Sequence, residues 1–177
     1  MQKFDIPTLI ITCGLPASGK SSWSILYAQT QNFKYASRDH YRYLLWDTDI
    51  EHYFNNEKEV EDLYYSFIVL NLVDGFSVIA DATHLTKGSI AKLLNRCHIK
   101  HHEDGFYLEI GSKKIPIDVW LKIFDADVET CIERNKYRSG FYRIPEETIR
   151  NMNSYKKFPS DGMGKDGWVH LIEARWE

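Results

Sequence analysis

Apolar and polar positions follow two alternating rhythms along the chain. Short unbroken apolar runs read as buried strands: Thr8 to Cys13, closed by Gly14, and Ser77-Val78-Ile79-Ala80, closed by Asp81. Lys34 to Ser37 reads as a shorter strand of the same kind. Helical spacing fills the intervals. Lys20 to about Thr30 carries Trp23, Leu26 and Tyr27 on one side, and Asp39 leads into a helical stretch with Tyr43, Leu44 and Trp46. Val60 to Val73 is a longer helix stopped by Asp74-Gly75, and Lys87 to Arg96 is another. Tyr107 to Ile110 and Lys114 to Ile117 alternate about Gly111-Ser112, which predicts a hairpin. Val119 to Phe124 is a fourth strand, ending at Asp125-Ala126-Asp127 before a helix through Arg134. Pro145 opens a further helix at its first position, and Trp168 to Ile172 is a last strand. Strands alternating with helices imply parallel βαβ units: an α/β domain of three layers around a central parallel sheet, with the hairpin inserted.

The chain's 177 residues suit one domain, residues 1–177, with one sizeable core. At 44% hydrophobic and 27% charged it has the composition of a soluble globular protein. Phe67 to Val73 is the longest candidate apolar run, far short of the roughly 20 residues of a membrane span. Met1-Gln2-Lys3-Phe4-Asp5 has no signal-peptide character, so a cytoplasmic location is expected. Cys13, Cys97 and Cys131 form no CxxC pair and read as reduced, packed thiols. A net charge of -3 opposes a broad grip on duplex nucleic acid but leaves room for a local basic pocket. Gly162-Met163-Gly164-Lys165-Asp166-Gly167 is the most flexible-looking stretch.

"GLPASGKSS" changes the picture. Gly14, Gly19, Lys20 and Ser21 fill every fixed position of the P-loop pattern, with a strand before and a helix after. The glycines permit positive φ and close approach, so backbone N–H groups can point into an anion at the positive end of the helix. Gly14, Pro16, Ala17, Ser18, Gly19, Lys20, Ser21 and Ser22 are therefore the expected cradle for ATP. Lys20 would reach the β- and γ-phosphates and Ser21 would face Mg²⁺. A chance match in a chain of this length is on the order of one in a hundred, so a plain helix-capping turn is the weaker reading.

Asp39 follows the second strand, where ligand crevices of open α/β sheets lie. A carboxylate there can take the proton of an attacking hydroxyl, and Arg42, three residues on, can clasp an anionic acceptor. Read alone, the segment is equally a capping aspartate with a solvated arginine. Arg134 and Arg138 are four apart and expected on one helical face beside a glycine-containing loop, with Arg143 a third candidate. They would stabilise charge on the transferred group, or they form a basic helix end that answers the dipole.

Gly14 to Ser22, Arg38-Asp39-x-Tyr41-Arg42, Asp81-Ala82-Thr83, and Arg134-Asn135-x-x-Arg138 with Ile144-Pro145 occur in this order. The set resembles the 5′-hydroxyl kinase domain of the phage end-healing polynucleotide kinase family, over nearly the whole chain. The resemblance implies a P-loop kinase fold with a helical lid, ATP and Mg²⁺ as cofactors, and a DNA or RNA 5′-hydroxyl end as acceptor. It makes Lys20 and Ser21 the contacts of ATP and metal, Asp39 the general base, and Arg134 and Arg138 lid residues on the donor phosphates. Arg42 would hold the phosphate beside the acceptor hydroxyl, with Arg38 and Thr83 on the same side and Ile144 as a wall for the terminal base. The family's aspartate directly precedes threonine, whereas Ala82 separates Asp81 from Thr83. Asp81 therefore takes the metal role with a shifted backbone, or no residue does. No phosphatase-like domain is expected in this chain.

His98, His101 and His102 are read as a solvated cluster on a helix end rather than metal ligands. Lys87, Lys92, Arg96 and Lys100 either guide an acceptor strand or form a solvated face. Two other functions compete: a kinase of another alcohol (a hydroxymethylated base in DNA, a tRNA-linked serine, a nucleotide sugar) and a nucleotide-binding module without catalysis. Asp39 argues against the second, since a pure binder needs no base at the γ-phosphate.

Overall fold

The structure, a computed structural model, describes residues 6–46, 56–159 and 166–172. Its sheet is built outward from β1 (Thr8–Gly14), whose seven residues are all buried. A strand buried on both faces must be apolar throughout, which is why this run does not alternate. β3 (Val78–Asp81) pairs with one edge of β1 and β6 (Lys113–Phe124) with the other, both parallel, and β2 (Lys34–Ser37) adds outside β3. The strand order is β2-β3-β1-β6-β5-β4.

The sheet is mostly parallel around β1 but not beyond it. β5 (Gly105–Ile110) and β4 (Ile99–His102) continue it antiparallel, and β7 (Trp168–His170) pairs antiparallel with Trp120–Lys122. The expected hairpin is present, but its second arm and the fourth strand are one continuous strand. Pro116 lies where β6 has β5 as its partner and β1 does not reach, since β1 pairs only from Asp118 onward.

Alternation along the strands sorts the two faces. Leu9, Ile11, Val78, Ala80, Val119 and Leu121 point toward α3 (Glu57–Val73) and α4 (Lys87–Arg96), meeting Tyr64, Ile68, Leu72, Ile90 and Leu93. Ile10 and Ile79 face α1 (Lys20–Gln31), where Trp23, Tyr27, Trp120 and Trp168 pack together. Each fully buried Leu or Ile contributes about 1.5–3 kcal/mol of transfer free energy. A third cluster of Leu15, Leu85, Cys131, Ile132 and Ile149 joins the P-loop to α5 (Val128–Lys136) and α6 (Glu146–Tyr155).

Several expectations need correction. Leu26 is not on the packed side of α1 but 62% exposed, so only Trp23 and Tyr27 of that trio pack. The long helix starts at Glu57, one turn before Val60, because Glu57 and Glu59 favour the positive helix end although they carry no apolar signal. Pro145 is the N-cap of α6, one residue ahead of the position expected. The histidines are not on a helix end: His98 occupies a left-handed turn after α4, and His101 and His102 are in edge strand β4. β4 was invisible because Lys100 and His101 are exposed polar residues. The last strand stops at His170 and runs antiparallel. Of the stretch read as flexible, residues 162–165 lie outside the described residues. α2 (Arg38–Trp46) follows β2 without an intervening residue.

Candidate active site

The loop after β1 is shaped by two glycines with different duties. A Cβ on Gly14 would lie 2.7 Å from the Phe124 carbonyl oxygen and 2.8 Å from Ser18 Oγ, so no side chain fits there. Gly19 has φ 102 at the N-cap of α1, a conformation that favours glycine, and aims the helix at the loop's interior. Lys20 is 7% exposed, and its ammonium donates to the carbonyls of Gly14 at 2.9 Å and Leu15 at 2.7 Å. Burial pushes its pKa down; Asp81 pulls it back up and Arg138 reinforces the fall.

The strands β1, β2 and β3 all end on this side, so Gly14, Ser37 and Asp81 deliver their following residues to one cleft of about 380 Å³. From the loop, Pro16, Ala17, Gly19, Lys20, Ser21 and Ser22 line it. Arg38, Asp39 and Arg42 reach it from α2, Asp81 and Thr83 from the end of β3, and Arg138 and Ile144 from the segment between α5 and α6. Gly14 and Ser18 do not line the cleft; Ser18 Oγ accepts from Lys20 Nζ at 3.4 Å. The two lid arginines are separated. α5 ends at Lys136, so Arg138 lies beyond the helix and lines the cleft, while Arg134 is exposed in the last turn and does not. Arg143 is exposed and outside the lining as well.

Among the described residues there is no cluster of three or more His, Cys, Asp or Glu side chains suited to a metal. The Ser21 hydroxyl and Asp81 carboxylate are hard oxygen donors. That set suits Mg²⁺, which binds through one or two carboxylates with substrate phosphates, and it does not suit zinc.

The family described as an AAA domain matches residues 9–159. The chain belongs to that family. Its fold is the α/β fold of P-loop kinases, a nucleotide-binding architecture. A chain of the Pnkp1/Rnl/Hen1 RNA repair complex is similar with a TM-score of 0.64 and 21% identity, covering 86% of this chain. This chain spans only 45% of that one. A gluconokinase from Sinorhizobium meliloti 1021 matches at TM-score 0.53 and 13% identity, covering 90% of this chain and 79% of its own. A sugar kinase from Janibacter sp. HTCC2649 matches at TM-score 0.54 and 12% identity, with 88% and 81% covered. No curated protein matches the sequence significantly. No helix among the described residues is long and apolar enough to cross a membrane.

This P-loop kinase domain contains partners that spacing along the sequence did not reveal. Glu57 binds both arginines of α2. Its Oε1 accepts from Arg42 Nε at 2.5 Å, while its Oε2 accepts from Arg42 Nη2 at 2.7 Å and Arg38 Nη2 at 2.5 Å. Arg42 Nη1 also donates to Asp39 Oδ1 at 2.5 Å. Partial burial works to raise the Glu57 pKa, but the Arg42 and Arg38 guanidiniums hold it below its ordinary value. Glu61 accepts from Arg38 at 3.3 Å. A carboxylate 15 residues from its arginine, on a different helix, leaves no local pattern.

Asp81 is 4% exposed and takes one hydrogen bond on each oxygen: Thr12 Oγ1 at 3.0 Å and the Tyr35 hydroxyl at 2.7 Å. Beneath the loop, His84 Nδ1 lies 2.9 Å from the Thr12 carbonyl oxygen, and burial pushes its pKa down to about 4. The neutral ring must therefore donate from Nδ1 to that carbonyl. Asn135 closes the segment carrying Arg138: its Nδ2 donates to the Ile144 carbonyl at 2.6 Å and its Oδ1 accepts from Ile144 N–H at 3.1 Å. Lys92, Arg96 and Lys100 are paired with Glu61, Asp62 and Glu109, as a solvated face would be.

Proposed function

We propose that the protein transfers the γ-phosphate of ATP, with Mg²⁺, to a 5′-hydroxyl end of DNA or RNA. The observation that carries this reading is the Asp39–Arg42 pair at 2.5 Å in the lining of the cleft that the P-loop also lines. A base and a cation made for phosphate stand side by side, as a hydroxyl flanked by a phosphodiester requires. The acceptor hydroxyl oxygen forms a bond to the γ-phosphorus, the bond to the bridging oxygen breaks, and ADP leaves. Asp39 takes the hydroxyl proton. Lys20 and Arg138 meet the charge of the donor phosphates. Ser21 and Asp81 would hold Mg²⁺, which when bound neutralises charge on the β- and γ-phosphates. Arg42, aligned by Glu57, grips the acceptor phosphate, with Arg38 and Thr83 beside it. Ile144 walls the acceptor side, while Arg134 contributes from outside the cleft by its field alone. The fold likeness to a chain of an RNA repair complex is compatible with a nucleic-acid acceptor.

Kinases of another alcohol (a hydroxymethylated base, a tRNA-linked serine, a nucleotide sugar) would share the P-loop and Asp39, and the fold likeness to sugar kinases is compatible with them. Labelled ATP, Mg²⁺ and oligonucleotides carrying a 5′-hydroxyl, a 5′-phosphate or hydroxymethyluracil separate these readings. Label is expected at the terminal hydroxyl alone. Asp39→Asn should lower the rate about 10²–10⁴-fold while ATP binding persists. Label on the base, or an Asp39→Asn enzyme with ordinary turnover, would contradict the proposal.

A further inference from the structure

We propose that Tyr35 is a positioning residue that locks the Asp81 carboxylate in the orientation a divalent cation needs. The inference rests on the reading above, in which Asp81 and Ser21 hold the cation. A buried carboxylate requires donors, and Asp81 has them on opposite oxygens: Thr12 on Oδ1 at 3.0 Å and Tyr35 on Oδ2 at 2.7 Å. Held at both ends, the carboxylate plane cannot rotate. Each oxygen accepts one hydrogen bond and so retains a lone pair for a metal.

The two donors come from neighbouring strands that the sheet register fixes. Thr12 is in β1, Tyr35 is in β2, and Asp81 ends β3 between them. Tyr35 does not line the cleft, so it acts through Asp81 and not on the nucleotide. Groups of this kind, one bond removed from a metal, typically alter metal affinity about 10–100-fold when lost.

The test uses the full chain with β,γ-imido-ATP and Mn²⁺ as the probe, free Mn²⁺ being read by electron paramagnetic resonance. Tyr35→Phe keeps the ring and removes only the hydroxyl. It should weaken Mn²⁺ binding about tenfold and raise the apparent KM for Mg²⁺ by the same factor. The kcat at saturating Mg²⁺, and nucleotide affinity without divalent cation, should hold. Thr12→Val, which frees the other oxygen, should give the same signature and covers the case of a Tyr35→Phe protein that does not fold. An unchanged Mn²⁺ isotherm, with or without a lower Tm, overturns the positioning role. Asp81→Asn separates the two levels: if it too leaves Mn²⁺ affinity unchanged, the cation reading of Asp81 has failed, and the inference with it.

Discussion

Lys20 and His84 are two ionisable groups buried beside the same loop, and burial disfavours the charged form of each. The Lys20 ammonium donates hydrogen bonds to two carbonyls, whereas His84 remains neutral, with Arg38 and Lys20 adding to the fall and Asp81 opposing it. The consequence is a pH dependence of stability. Unfolded, this histidine titrates near its ordinary value of 6.5; folded, near 4. Between those values the unfolded chain binds more protons, so stability rises with pH. The contribution is complete above pH 6.5 and is lost as pH falls toward 4. A shift of this size is worth roughly 3 kcal/mol, of which about 2 kcal/mol is gone by pH 5. Denaturant unfolding at pH 7 and pH 5 should show that loss, and His84→Asn, which can still donate to the Thr12 carbonyl, should remove most of it. An unaltered slope in the variant would assign the dependence to other groups. At this scale the sequence reveals the P-loop because its duties lie within nine consecutive residues, Gly14 to Ser22. Glu57 and Tyr35 escape it because their partners, Arg42 and Asp81, are brought near only by the fold.

At the scale of elements, apolar runs and helix spacing were enough to locate the buried strands and most helices. They fail where an element is polar or continuous across a supposed break. β4 carries too few apolar residues to be seen, and β6 passes through Pro116 because that part of the strand is paired on the β5 side. The junction of β6 with β7 depends on one residue that no periodicity marks. Gly167 has φ +73, and a Cβ there would sit 2.3 Å from the Ile123 carbonyl oxygen. The same backbone accepts from Ile123 N–H at 2.7 Å, and the Lys122 ammonium donates to the neighbouring Asp166 carbonyl. Gly167→Ala should therefore destabilise the fold by about 2–3 kcal/mol, combining conformational strain with the clash. Gly111→Ala, at φ +57 with open space around its Cβ, carries the strain alone and should cost about 1 kcal/mol. Equal costs in thermal unfolding would mean that β7 is not held tightly against β6.

Across the whole molecule, the parallel strands act as a frame that brings distant segments to one edge. The P-loop after β1, α2 after β2 and Asp81 at the end of β3 meet there, with Arg138 arriving from beyond α5. That convergence follows from the βαβ order and was legible in the sequence; the separation of Arg134 from Arg138 was not, because nothing local marks the end of α5. In the proposed reaction Arg42 grips the acceptor phosphate, and the frame places it beside Asp39 in the lining of the cleft. An acceptor phosphate gripped there competes with the Asp39 and Glu57 carboxylates for the guanidinium, and it wins only by adding charge-assisted bonds of its own. The most direct test is steady-state phosphorylation of a nucleoside 3′-monophosphate against the bare nucleoside, with the native enzyme and Arg42→Ala. One arginine–phosphate contact is worth roughly 1.5–3 kcal/mol, or about ten- to a hundredfold in acceptor use. The native enzyme should prefer the 3′-monophosphate by that factor, and Arg42→Ala should erase the preference without changing ATP affinity. Equal use of both acceptors by the native enzyme would contradict the 5′-end reading.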